Sequence, residues 1–126
     1  MDSKLFLSVE SAQQSEAVFL ATGAFTRLRE LSGNDGARMI TLKTMSGISA
    51  LEITLNQHRK QDAEKGSYSS AIEISLSCGA EMLEMLDNTS ATAGLNPSPI
   101  LDTPWGSKFG IGLPNHIVLA FASHVA

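Results

Sequence analysis

Leu5-Phe6-Leu7-Ser8-Val9 is a short apolar run of strand character, and Glu73-Ile74-Ser75-Leu76-Ser77-Cys78 repeats it roughly seventy residues later; a helical stretch follows each. Setting Val9 on Cys78 brings two further blocks into correspondence in the same order. Gly36-Ala37-Arg38-Met39 lies over Gly106-Ser107-Lys108-Phe109, and Leu51-Glu52-Ile53-Thr54-Leu55 lies over Val118-Leu119-Ala120-Phe121-Ala122. The spacing drifts by a few residues between blocks, as small loop deletions produce. Two such modules in one short chain meet about a pseudo-twofold axis, and a cleft at their seam is a natural binding site.

Working outward from these blocks, residues 4–9 read as a strand. Ser11 then offers an N-cap with Gln14 three positions on, and Ala12, Val18 and Phe19 supply the apolar face of a helix that Gly23 ends. Residues 25–31 and 38–44 read as antiparallel strands across the turn Ser32-Gly33-Asn34-Asp35-Gly36, whose residues tolerate positive φ. Residues 50–57 form a fourth strand after Ser46-Gly47. The first module therefore spans 1–57, a polar and non-periodic linker spans 58–70, and the second module spans 71–126. In the second module the expectation is a strand over 71–78, a helix over 81–87 with Met82, Leu83, Met85 and Leu86 inward, a break at Gly94-Leu95-Asn96-Pro97-Ser98-Pro99, and a hairpin of 108–113 with 117–123. Each half reads strand, helix, then up to three strands, which is an α+β domain of paired βαβββ modules.

The 126 residues suffice for one domain with a real core and are too few for two independent ones. A formal charge of −4 with nine scattered Lys and Arg excludes nucleic acid as the expected partner, because phosphate binding needs clustered cations. Cys78 is the single cysteine, so no intrachain disulfide or multi-cysteine metal site is available, and its place in an apolar run reads as a small buried hydrophobe. Met1-Asp2-Ser3-Lys4 leads directly into a strand without signal-peptide architecture, and the longest apolar run, 117–122, is too short to span a bilayer. A cytoplasmic protein with no membrane partner is expected, so the sequon at Asn88-Thr89-Ser90 carries no meaning.

Two stretches resemble a known family. Leu7-Ser8-Val9-Glu10-Ser11 with Ser15, Ala17, Phe19 and Gly23 is similar to the first strand and helix of the vicinal oxygen chelate superfamily, the group of glyoxalases, bleomycin-resistance proteins and extradiol dioxygenases. Asp102-Thr103-Pro104-Trp105-Gly106-Ser107-Lys108-Phe109-Gly110 resembles the D-T-x-W-G-x-x-F-G run of its bleomycin-resistance-like branch, and His116 falls near the histidine of that family's turn. The resemblance implies a homodimer and a U-shaped mixed sheet around a cleft. It also implies four strand positions that hold one divalent metal in the metalloenzyme members; carried over, these fall on Lys4, Glu52, Glu73 and Leu119.

Lys4 would be a cation beside the metal and Leu119 has no donor atom, whereas a catalytic divalent site needs about three protein ligands with an open position. The expectation is therefore a metal-free, small-molecule-binding protein without a cofactor. Trp105, Phe109, Ile111, Ile53 and Lys4 would line the cleft, and Glu52 and Glu73 would serve a polar or cationic ligand group. The alternative is a metal-dependent lyase, isomerase or epimerase of glyoxalase type, with Glu52 as ligand and Glu73 as ligand or base. Against these stand plainer readings: Trp105 and Phe109 as core aromatics, and the two glutamates as surface groups or partners of Lys4. A triad of Asp102, His116 and a serine lacks a nucleophile elbow, and Gly106, Gly110 and Gly112 lie in and beside strands rather than in a phosphate loop.

Overall fold

A computed structural model describes residues 3–33, 37–57 and 72–124. The first module runs β1 (Ser3–Val9), α1 (Ala12–Ala21), β2 (Phe25–Ser32), β3 (Arg38–Thr44) and β4 (Leu51–Gln57). The second runs β5 (Ile72–Cys78), α2 (Ala80–Thr92), β6 (Leu101–Thr103), β7 (Gly106–Leu113) and β8 (Ile117–His124). Both halves thus carry the expected βαβββ order. They form two four-stranded sheets, β1-β4-β3-β2 and β5-β8-β7-β6, in which β1 is parallel to β4, β5 is parallel to β8, and the remaining pairs are antiparallel. Strand β6 went unread in the sequence because three residues are too few to show a period. The linker 58–70 and the turn tip 34–36 lie outside the described residues, as does residue 71 at the start of the second module.

Side-chain chemistry sets the helix ends. At the start of α1, Ser11 is extended and its Oγ accepts from the Gln14 N–H at 3.2 Å, while Gln57 Oε1 accepts from the Ala12 N–H at 3.0 Å and ties the helix to β4. At its end the Thr22 hydroxyl donates to the Phe19 carbonyl at 2.7 Å and accepts from the Ala24 N–H, and Gly23 takes φ +81°. Helix α2 runs five residues past its expected end at Asp87. Asn88-Thr89-Ser90-Ala91-Thr92 has weak helix propensity, but Ser90 is fully buried on the same face as Leu83 and Leu86, and packing prevails over propensity. Gly94 at φ +79° then closes it in a Schellman motif, with Gly94 N–H to Ala91 and Leu95 N–H to Ser90, each at 3.0 Å.

Alternation along the strands divides each sheet into two faces. The face under the helices carries Leu7, Val9, Ile40, Leu42, Ile53 and Leu55 in the first module, and Ile74, Leu76, Phe109, Ile111, Leu119 and Phe121 in the second; all are buried in one core cluster with Phe19, Leu83 and Leu86. Phe19 meets Phe25 edge-on with centroids 5.2 Å apart, and Phe109 meets Phe121 at 5.4 Å. A largely buried Glu16 on α1 pairs with Arg27 on β2, and Arg27 and Arg38 both reach Glu30. The hydrogen bonds that Arg27 donates to the Glu16 carboxylate raise the Arg27 pKa above its ordinary value.

The modules join through a contact made twice. Ile48, beyond the β3–β4 turn, bridges to Cys78 at the end of β5, and the Ser49 N–H donates to the Ser77 carbonyl at 2.8 Å. In the mirror position, Glu10 beyond β1 donates its N–H to Asn115 Oδ1, in the β7–β8 turn, at 3.3 Å. The sequence correspondence of Val9 with Cys78 is thus realised as a pseudo-twofold seam.

The face assignment is testable on two adjacent residues of β8. Leu119→Ala should lower unfolding free energy in urea by about 2–5 kcal/mol. Val118→Ala, on the opposite face, should change it by less than about 1 kcal/mol.

Candidate functional site: the two open sheet faces

One helix covers one face of each sheet, and among the described residues no element packs on the other face. On the first sheet the strand register arranges that open face in three rows. The first row is Lys4, Glu52, Lys43 and Thr26; the second is Phe6, Thr54, Thr41 and Arg29; the third is Ser8, Asn56, Met39 and Leu31. The Thr41 and Thr54 hydroxyls bond to each other at 3.1 Å at the floor of the face, where both residues are buried. Phe6 stands beside them 69 % exposed, and Leu31 is 59 % exposed. A register shift between Arg27 and Arg29 turns Arg29 onto this face, whereas Arg27 and Glu30 stay on the helix side.

The open face of the second sheet is lower and less polar. Its rows are Glu73, Val118 and Gly112; Ser75, Ala120 and Gly110; and Ser77, Ala122, Lys108 and Leu101. At its end the Ser77 hydroxyl meets His124 Nε2 at 3.3 Å. Trp105 sits in the β6–β7 turn with 77 % of its surface exposed, and Leu101 beside it is also exposed. Thr103 shapes that turn: its Oγ1 accepts from the Trp105 N–H at 3.2 Å and donates to the Gly106 carbonyl at 2.6 Å. Gly106 has φ +141°, and a Cβ there would fall 1.8 Å from the Ser123 carbonyl oxygen, so only glycine lets β7 approach β8 there.

Of the residues singled out from sequence, Lys4, Glu52 and Glu73 stand on the open faces and Trp105 on an exposed turn. Ile53, Phe109, Ile111 and Leu119 do not line a cleft. Ile53 and Leu119 are 0 % exposed, Ile111 1 % and Phe109 3 %, all packed under the helices. The reason is parity: a one-residue step along a strand exchanges faces. For the same reason the eighth-strand position opposite Glu73 is Val118, not Leu119. Phe6, Arg29, Lys43 and the threonine pair were missed. The alternation of Lys4, Phe6 and Ser8 against Leu5, Leu7 and Val9 could have revealed Phe6, but the bulge that turns Arg29 has no signal in the sequence.

A metal fits these positions poorly. Lys4 faces Glu52 and Val118 faces Glu73, so each sheet offers one carboxylate beside a cation or an isopropyl group. Among the described residues no three potential ligands come together. Glu52 and Glu73 stand on separate sheets, and neither joins the ion pairs of the described residues.

No family model matches the sequence, and no curated protein matches it. Solved structures do match over nearly the whole chain. A bleomycin-binding protein complexed with bleomycin superposes with TM-score 0.69 at 12 % identity, covering 99 % of each chain. TnmS3, an antibiotic-binding protein from Streptomyces sp. CB03234, gives 0.70 at 13 % identity over 99 % of this chain and 96 % of its own. FosX, a fosfomycin resistance protein from Listeria monocytogenes in complex with Mn(II), gives 0.64 at 8 % identity over 98 % and 91 %. With these neighbours and the paired βαβββ modules, the chain has the vicinal oxygen chelate fold. No helix among the described residues is long and apolar enough to cross a membrane.

Cys78, at the seam, is half-buried, and that burial pushes its thiol pKa up. Its thiolate fraction at neutral pH is therefore below that of free cysteine. Iodoacetamide should modify it several-fold more slowly than free cysteine at pH 7.5, and faster as pH rises; equal rates would contradict the burial.

Proposed function

We propose that the chain is a small-molecule-binding protein that works as a cytoplasmic homodimer, its ligand held against the open sheet faces. The observation that carries this reading is that, among the described residues, no helix covers either face, while both display large apolar side chains: Phe6 and Leu31 on the first, Leu101 and Val118 on the second, with Trp105 in the adjoining turn. Exposed apolar groups concentrated on two faces mark surfaces that bind something. A second copy would narrow each face into a cleft, and a flat ligand would gain apolar burial and aromatic stacking there. The bleomycin-binding and antibiotic-binding neighbours support a ligand of that size. Binding alone, by lowering the free concentration of the compound, is the mechanism; no residue needs to react.

A metal-dependent isomerase or lyase is disfavoured by the chemistry of Lys4 and Val118. After chelator treatment and reloading with nickel, zinc, manganese or iron(II), no stoichiometric metal uptake is expected. Uptake of one ion per chain that disappears in Glu52→Gln would restore the enzyme reading.

The binding reading is tested by light scattering and by thermal shift against a library of natural-product antibiotics and flat aromatic compounds. Dimer mass and at least one stabilising compound are expected, with the stabilisation reduced in Phe6→Ala and in Trp105→Ala. Unchanged stabilisation in both variants would remove the open faces as the site.

A further inference from the structure

The first sheet's open face is cationic in an acidic chain. Lys4, Lys43 and Arg29 project from it, against the single carboxylate of Glu52, although the formal charge of the whole chain is −4. The basic side chains on the other face of the same sheet are neutralised: Arg27 pairs with Glu16 and Glu30, and Arg38 pairs with Glu30. No such carboxylate lies within ion-pair distance of Lys4, Arg29 or Lys43 among the described residues. Ion pairing thus serves the helix-side face and leaves the open face with its charge available.

The geometry points to an anionic ligand group, a carboxylate, sulfonate or phosphonate, received by Arg29 and Lys43. This rests on the cleft reading above and names the ligand class. Thr41 of β3 lies directly opposite Arg29 in the register, and Lys43 lies two residues along β3 from Thr41 on the same face. Arg29 and Lys43 are therefore diagonal neighbours, close enough for two long side chains to converge on one anion. The guanidinium supplies a planar two-donor fork and the ammonium a mobile point charge, a pairing suited to an oxyanion. Glu52, beside Lys43 in the first row, repels a second anion on the β1 side and directs the group toward β2. Phe6, at the far end of the Arg29 row, gives an aromatic scaffold a surface to lie on. The ligand of this face is thus amphipathic, with a flat apolar body over Phe6 and an anion at Arg29 and Lys43.

The test uses charge-matched probes on the full chain: naphthalene, anthracene and biphenyl, each as the carboxylate, the primary amide and the ammonium, measured by calorimetry and thermal shift. On at least one scaffold the carboxylate should bind about tenfold or more tighter than its amide and ammonium counterparts, the scale of one lost charge-assisted hydrogen bond. That preference should shrink in Arg29→Gln and in Lys43→Gln, persist in Lys43→Arg, and weaken with added salt. Arg38→Gln removes the same charge from the opposite face and should leave the preference intact. All three positions are solvent-accessible, and a melting curve of each variant checks that it is folded. Binding without carboxylate preference, or an equal loss in Arg38→Gln, overturns the anion site and leaves the cleft reading standing. Failure of every scaffold to bind overturns both.

Discussion

A single helix can cover only one face of a four-stranded sheet, and the rest of this structure depends on that constraint. Each module places most of its isoleucine, leucine and phenylalanine side chains under its helix, and the two apolar faces merge into one core. Among the described residues no second layer packs on the opposite faces. Those faces must tolerate water, which explains the lysines, serines and threonines there, and they are also the surfaces still free to take a ligand. Core and site are thus complementary outcomes of one alternation.

The repeat makes this arrangement twice without making it identical. The seam contacts at Cys78 and at Glu10 occupy corresponding places, so the backbone keeps its pseudo-twofold relation. The open faces have diverged. The first carries charged groups, an aromatic ring and a buried threonine pair; the second carries glycine, alanine and serine through its middle. Such divergence costs little, because side chains on a solvated face contribute little to stability and can change while the helix-side face holds the module together.

The module repeat, the order of elements along the chain and most element bounds were legible in the sequence, because a core of twenty or so buried apolar residues imposes a period that survives substitution. What failed has two physical causes. Near-continuous apolar stretches such as 109–113 and 117–122 conceal which residues face the helix, so the sequence alone suggests a cleft position for Phe109 and Ile111, which lie in the core. Tertiary effects were also invisible: the burial of Ser90 that extends α2, and the bulge that turns Arg29 outward. Trp105 stood out only through a motif, since nothing in its local pattern distinguishes an exposed turn aromatic from a core one.

Under the proposed reading, in which the ligand is held without a metal, specificity arises differently on this fold. A metal fixes a substrate by direct coordination, so the surrounding surface can remain plain. With Lys4 and Val118 at two of the four positions, affinity must come from area and from fixed charge. Burying apolar surface is worth about 25 cal/mol per Å², so contact with one or two aromatic side chains supplies several kcal/mol, much of what a micromolar complex needs. That term is indifferent to which flat molecule supplies the area. Discrimination falls to the charges: Lys4, Arg29 and Lys43 lie on the face that carries Phe6 and outside the ion pairs of the described residues. An acidic chain that neutralises its arginines on the helix side and keeps its open face positive has its electrostatic selectivity built into that first sheet.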